Sequence, residues 1–198
     1  MKIVAIYGSS RMKGFSSKGV DETVAQFDSN KHEIKKYYLS KMKFNGCIGC
    51  FYCRRKEGCV QKDDMAELFE DIISSDFIIF SSSVYNFDTN SNYKKMFERL
   101  YPMLAGGMAL GEGKQKYTYR YPRKKCMLIL SAGGMKFMSS GVMRRTKSNL
   151  KFNGFDNVGT VLIHSTYTRK EVSLNSKEKN QLKIYVKKLM SKRKEIHK

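Results

Sequence analysis

No stretch of about 18 consecutive apolar residues occurs in this 198-residue chain, which excludes a hydrophobic membrane-spanning helix. Histidine is scarce. His32, His164 and His197 show no ligand spacing, and no Ser-His-Asp or Cys-His pairing can be argued from their positions. No Gly-Lys-Ser/Thr closes a Walker loop, and no Gly-x-Gly-x-x-Gly run marks a dinucleotide fingerprint. Acidic residues are few: 18 Asp and Glu stand against 38 Lys and Arg, a formal charge of +20. Such a surplus suggests nucleic acid, an anionic membrane surface or a phosphorylated ligand. It is lopsided, because residues 112–198 carry 22 basic and 5 acidic side chains while residues 1–111 carry 16 and 13. A site in the first part must therefore be argued from local chemistry. Met1–Tyr7 is too short, and too soon followed by Gly8-Ser9-Ser10-Arg11, for a signal peptide; it reads as a buried strand. The five cysteines are accordingly expected in a reducing cytosol, where metal, cluster or redox roles outrank structural disulfides.

What is present suffices for a core. At 41% hydrophobic and 28% charged, the chain reads as one globular domain over residues 1–198. Short apolar runs at 2–8, 32–39, 77–80, 126–130 and 158–164 predict five strands. Between them, helical spacing appears at Val20, Val24 and Phe27, and strongly at Met65, Leu68, Phe69, Ile72 and Ile73. It recurs at Tyr93, Met96, Phe97 and Leu100, near 140–150, and at Leu182, Tyr185, Val186 and Leu189. Asp63 and Asp64 suit the amino terminus of the second helix, where the dipole favours negative charge. Gly-, Tyr- and Lys-rich residues 105–123 read as a flap or insertion, and 191–198 as a basic tail. Alternating strands and helices imply an α/β fold with a five-stranded parallel sheet and helices on both faces. Ligands bind such sheets at the carboxyl ends of the strands, at the switch point of strand order.

Three loops at those ends carry the chemistry. Gly8-Ser9-Ser10-Arg11-Met12-Lys13-Gly14-Phe15-Ser16-Ser17 offers hydroxyls, an Arg and a helix amino terminus, the parts of an anion site. The bland alternative is a Ser/Gly turn that caps a helix. The run Ser83-Val84-Tyr85-Asn86-Phe87, continuing to Asn92, interleaves aromatics with amides that suit a planar heterocycle; blandly, it caps the next helix. Ser131-Ala132-Gly133-Gly134 lets backbone approach a ligand, or is an ordinary turn.

Cys47-x2-Cys50-x2-Cys53-x5-Cys59 is the most distinctive local motif, and Cys126 stands apart from it. Cysteines at x2 spacing wrap a cubane corner, and a fourth completes the thiolate set of a 4Fe–4S cluster. Four-thiolate zinc, a redox pair such as Cys50 and Cys53, and free thiols remain rival readings. The flanking Lys41, Lys43, Arg54, Arg55 and Lys56 favour thiolate or an anionic cluster without separating these options.

Gly8-Ser9-Ser10-Arg11-x-x-Gly14-x-Ser16, Ser83-Val84-Tyr85-Asn86 and Tyr93-Lys94-x-x-x-Glu98-Arg99 together resemble the flavodoxin-like NAD(P)H-dependent FMN reductase family. The cysteine motif narrows the resemblance to its iron-sulfur flavoprotein branch. The resemblance implies a flavodoxin-like three-layer sandwich that binds FMN. It implies that Ser9, Arg11, Ser16 and Ser17 hold the FMN phosphate. It further implies that Val84, Tyr85, Asn86 and Phe87 border one side of the isoalloxazine, with Ala132, Gly133 and Gly134 on the other. Cys47, Cys50, Cys53 and Cys59 would be the 4Fe–4S ligands, although many relatives with a similar stretch bind FMN without a cluster. The sequence departs from the family where Ser83 replaces a usual Pro, Tyr93 an aliphatic residue, and Glu98-Arg99 an Asp-Arg pair.

These readings converge on a cytoplasmic FMN-dependent oxidoreductase. Electrons would pass from NAD(P)H through flavin to a quinone, free flavin, a small electrophile or an iron-sulfur centre, in a homodimer or homotetramer. Two other classes compete: a basic protein that binds nucleic acid or an acidic partner through residues 112–198, and an electron carrier or redox sensor without turnover.

Overall fold

The computed structural model of the chain describes residues 1–108, 117–134, 139–164 and 171–191. Strands β1 (Lys2–Tyr7), β2 (Glu33–Tyr38), β3 (Phe77–Tyr85), β7 (Lys124–Ala132) and β8 (Phe155–His164) form one parallel sheet in the order β2-β1-β3-β7-β8. Two-residue β4 (Asp88–Thr89) adds an antiparallel strand beside β3. Strands β5 (Leu104–Met108) and β6 (Tyr117–Tyr119) pair separately as an antiparallel ribbon. The helices are α1 (Phe15–Val24), short α2 (Tyr52–Arg55), α3 (Met65–Ser74), α4 (Ser91–Glu98), α5 (Ser140–Phe152) and α6 (Ser176–Met190).

The unbroken apolar runs of the central strands follow from burial on both faces. Alternate side chains of β1, β3 and β7 serve opposite clusters. Val4, Ile6, Ile78, Phe80, Leu128 and Leu130 meet α3 and α4 through Leu68, Ile72, Met96 and Phe97, and α5 through Leu150. Ile3, Ala5, Ile79, Met127 and Ile129 meet α1 and α6 through Val20, Val24, Leu182 and Val186. Each fully buried side chain of this size contributes about 1.5–3 kcal/mol relative to exposure. One ionic group sits at the edge of this packing. Burial pushes the Asp71 carboxyl up, but hydrogen bonds from Lys2 Nζ at 2.6 Å and from the Tyr37 hydroxyl outweigh it and hold it below the ordinary value.

Strand order reverses between β1 and β3: β2 lies on one side of β1 and everything later lies on the other. That makes the carboxyl ends of β1 and β3 the switch point. The expected five-stranded parallel sheet is observed, with β4 extending it to six strands. The difference arises at β3, which runs through Ser81, Ser82 and Ser83 to Tyr85. The apolar run ends at Phe80, and the second loop is expected to begin at Ser83. The serine hydroxyls are instead satisfied inside the sheet, Ser81 donating to Ile6 O at 2.9 Å and Ser82 to Ser83 O at 2.9 Å. Most of the loop expected from Ser83 to Asn92 is thus a tight hairpin turning at Asn86-Phe87. Of the expected flap at 105–123, residues 109–116 lie outside the described residues, and β5 and β6 flank them. The expected tail falls outside from 192 onward. Among the described residues no helix is long and apolar enough to cross a membrane.

Candidate functional site

The three loops meet at the switch point in a crevice of ≈ 580 Å³, within the range of small-molecule sites. Its walls include Ser9, Arg11, Lys13 and Gly14 after β1, Ser83, Val84, Tyr85 and Asn86 after β3, and Ser131 and Gly133 after β7. Phe15 and Val172 complete the lining. A second cleft of ≈ 530 Å³ lies between α5, β8 and α6, lined by Lys147, Lys151, Asp156 and Tyr185. It holds no residue of the three loops, and its carboxylate Asp156 is paired with Arg123.

The first loop is held as a ring. Gly8 N bonds Ser81 O at 3.1 Å, and a Cβ at Gly8 would fall on that carbonyl oxygen, so only glycine lets the chain leave β1 here. Arg11 N donates to Ser9 Oγ at 3.1 Å, Gly14 N to Arg11 O at 3.0 Å, and Ser17 Oγ to Arg11 O at 3.0 Å. Lys18 N is bonded to Gly14 O at 2.9 Å, and α1 has no side-chain cap. An uncapped first turn directs amides and the positive end of the helix dipole outward. Ser16 Oγ is fully buried, lies behind the crevice lining rather than on it, and has no hydrogen-bond partner among the described residues. Buried hydroxyls are almost always satisfied, so this orphan in the first turn of α1, which follows the loop that carries Arg11 and Lys13, fits an anionic ligand. Ser17 differs: its hydroxyl closes the loop.

The second loop is wired to the first. Ser83 Oγ donates to Ser9 Oγ at 2.9 Å, and Asn90, the N-cap of α4, donates Nδ2 to Gly8 O at 2.8 Å. Ser83, noted as a departure from the family, thus supplies a bond between the loops that proline could not make. Asn86 and Phe87 take φ of 47° and 61°, left-handed values that side chains other than glycine adopt at a cost. Tyr85 and Phe87 are 56% and 57% exposed. Tyr85 and Asn86 lie on the crevice wall, whereas Phe87 does not. On the third side Gly133 reaches the wall; Ala132 is buried behind it, and Gly134 is outside the lining. Lys13, Gly14, Phe15, Ser83 and Ser131 reach the wall as members of the three expected loops to which no contact had been assigned, and Val172 was not expected at all. Nothing local in the sequence marks Val172.

Cys47, Cys50, Cys53 and Cys59 line one small pocket with Phe51, Glu98 and Arg99. Cys47 and Cys50 are exposed, and Cys53 and Cys59 half-buried. Left-handed backbone at Gly49, Phe51 and Gly58 (φ 67°, 55° and 74°) folds the loop back over itself. Burial, then the nearby Cys59, Cys47 and Cys50, push the Cys53 thiol up. Four thiol donors facing one pocket match a four-thiolate centre in chemistry. Among the described residues, however, no three His, Cys, Asp or Glu stand together as ligands to one ion. Cys126 is buried in β7, where desolvation raises its thiol far above the usual value.

An anion cradle at the switch point of a 2-1-3-4-5 type sheet, beside a slot walled by Tyr85 and Asn86, defines a flavodoxin-like protein. Residues 1–168 match the family described as NADPH-dependent FMN reductase, and the chain belongs to that family. An iron-sulfur flavoprotein of Archaeoglobus fulgidus is 37% identical over 102 residues, 52% of this chain and 46% of that protein. Another, from Clostridioides difficile, is 32% identical over 142 residues, 70% of this chain and 59% of that protein. The chain spans about half the length of the curated relatives it matches. Among solved structures, an FMN-dependent NADH-azoreductase from Bacillus anthracis in complex with FMN superposes with a TM-score of 0.62. It is 14% identical, and the match covers 95% of this chain and 97% of that one, a likeness of fold.

Proposed function

We propose that the chain binds FMN in the switch-point crevice and acts as an NAD(P)H-dependent flavin oxidoreductase delivering electrons to a small acceptor. The observation that carries this reading is the first loop of an FMN reductase fold, which puts Ser9, Arg11 and Lys13 on the crevice wall and leaves the buried Ser16 hydroxyl of the adjoining helix turn without a partner among the described residues. Ser9, Arg11, Ser16 and the start of α1 would hold the phosphate; Ser17 supports them by fixing Arg11 O. Val84, Tyr85 and Asn86 would wall one side of the isoalloxazine and Gly133 the other, with Ala132 and Gly134 shaping that turn. Phe87 would stand at the rim, where a second substrate enters. When bound, FMN supplies the redox chemistry, taking two electrons from NAD(P)H and passing them on. The protein contributes orientation and a positive, partly closed phosphate site. No side chain on the wall needs a proton-transfer role.

A second feature supports an added metal centre: four cysteines face one pocket, and curated relatives are named iron-sulfur flavoproteins. Cys47, Cys50, Cys53 and Cys59 would hold it after the sulfurs draw together. Residues 1–198 are read as one domain, with 105–123 as a flap beside a dimer or tetramer contact. A cytoplasmic setting suits the free cysteines.

The visible spectrum of anaerobically purified protein tests the reading. Flavin bands near roughly 370 and 450 nm, together with oxidation of NADH or NADPH, are expected. A colourless protein that takes up no added FMN refutes it. Retention on DNA that weakens with salt, without flavin, would favour the nucleic-acid alternative.

A further inference from the structure

One buried arginine links the two candidate sites. Arg99 follows α4, the helix whose other end, Asn90, is bonded to Gly8 O in the first loop. Eight helical residues span about 12 Å. The Arg99 side chain is only 1% exposed. Its Nη1 donates to Asn45 O at 2.9 Å and its Nη2 to Gln61 O at 3.3 Å, so one guanidinium grips both stems of the cysteine loop. Its fork also pairs with Asp63, at 2.7 Å to Oδ2 and 2.9 Å to Oδ1. Gln61 reinforces the closure by donating Nε2 to Gly46 O at 3.1 Å. Two features remain. The guanidinium lies close enough to Cys59 to interact with its sulfur. Arg99 Nε is buried without a hydrogen-bond partner among the described residues, on a residue that lines the four-cysteine pocket.

A planar guanidinium that has used both terminal nitrogens on backbone and carboxylate still offers a donor toward sulfur. Asp63 offsets one unit of its charge. An anionic centre on four thiolates would provide the missing acceptor, whether it is an iron-sulfur cluster or a zinc ion.

We infer that Arg99 is the positioning residue of the cysteine loop: it fixes both stems at one end of α4 and presents Nε–H to an anionic four-thiolate centre formed by Cys47, Cys50, Cys53 and Cys59. This rests on the reading of that loop as a metal site and is independent of the FMN assignment. Residues that orient a metal site without binding the metal typically change metal affinity about 10- to 100-fold when replaced.

The experiment uses the full chain with Arg99→Lys, which keeps the charge but loses the fork, and Asp63→Asn, which leaves the arginine but removes its partner. Zinc affinity is measured by chelator competition, and iron and acid-labile sulfide are counted after anaerobic reconstitution. Alkylation rates of Cys53 and Cys59 are read by mass spectrometry, and FMN affinity by fluorescence quenching. In both variants FMN affinity should stay within about twofold of the parent, while affinity for the metal that the parent accepts falls about 10- to 100-fold. Cys53 and Cys59 should alkylate faster in both. Iron uptake with sulfide identifies a cluster, and tight zinc alone identifies a zinc site; either supports the role of Arg99. Unchanged metal affinity and alkylation in both variants overturn the inference. So does FMN affinity that falls in step with metal affinity, or a parent chain that takes up neither metal. FMN uptake by that same parent tests the flavin reading separately.

Discussion

Replacing Ser16 by alanine should move two properties in opposite directions. The hydroxyl is fully buried and unpartnered in the ligand-free protein. An unsatisfied buried polar group costs about 1–3 kcal/mol. Ser16→Ala removes that cost and leaves only a small void, so the ligand-free protein should gain about 1 kcal/mol, or roughly 2–4 °C in Tm for a chain of this size. With FMN bound, the same hydroxyl would donate to a phosphate dianion, and a hydrogen bond to a charged group is worth about 1.5–3 kcal/mol. Its loss should weaken FMN binding roughly 10- to 150-fold. Differential scanning calorimetry of FMN-free protein and a flavin-fluorescence titration measure the two. Few residues with a purely structural role would show this opposition. A variant that is less stable without ligand and binds FMN with the parent's affinity would show that the orphan hydroxyl has another purpose.

Phe87 at φ 61° bears left-handed strain of roughly 1–2 kcal/mol, and its side chain is largely exposed, so Phe87→Gly should raise Tm by a few degrees. If Phe87 meets the second substrate at the rim, the same variant should raise the acceptor KM in steady-state assays while FMN affinity is unchanged. A Cβ at Gly159 would collide with the Tyr185 ring packed over β8. Gly159→Ala should therefore cost about 1–3 kcal/mol in urea unfolding, and Tyr185→Ala in the same chain should recover part of that loss. Asp63 and Asp71 predict the acid limb of stability. Burial pushes both carboxyls up, but Arg99 outweighs it at Asp63, and Lys2 with Tyr37 at Asp71, so both lie below the ordinary 3.8. Depressed carboxylates contribute stability that is present above their unfolded value and is lost as pH falls through the lower folded value. Urea midpoints should thus fall below about pH 4, and Asp63→Asn should flatten that decline. An acid limb identical in the parent and in Asp63→Asn would count against the Arg99 pair as its source.

Much of the fold is written in local periodicity. The apolar runs of β1, β3 and β7 and the i, i+3, i+4 spacing of α3 reappear at the expected places because two-sided burial leaves little choice of residue. The ends of β3 and the Asn86-Phe87 turn were less legible. A serine read in isolation is a turn former, whereas Ser81–Ser83 are strand residues once their hydroxyls find partners, Ser81 on β1, Ser82 at Ser83 O and Ser83 in the first loop. Asp63 shows the same shift of role. Sequence placed it at a helix start as a dipole partner, and it does accept from Met65 N at 3.2 Å, but its principal bonds go to Arg99, 36 residues away.

By itself the sequence determined the α/β alternation, the three loops after the first, third and fourth predicted strands, and the cysteine spacing, because each depends on residues close together in the chain. Tertiary structure decided which hydroxyls remain available. Ser17 spends its proton on Arg11 O, Ser9 accepts from Arg11 N and Ser83 Oγ and keeps its own proton to donate, and Ser16 makes no bond among the described residues, a distinction set by partners that no spacing rule contains. It also decided that Arg99 closes the cysteine loop, since that contact exists only where α4 and α3 pack on the same face of the sheet. Burial makes such a choice consequential: a polar group exposed to water has many partners, and one removed from water has only those the fold brings to it.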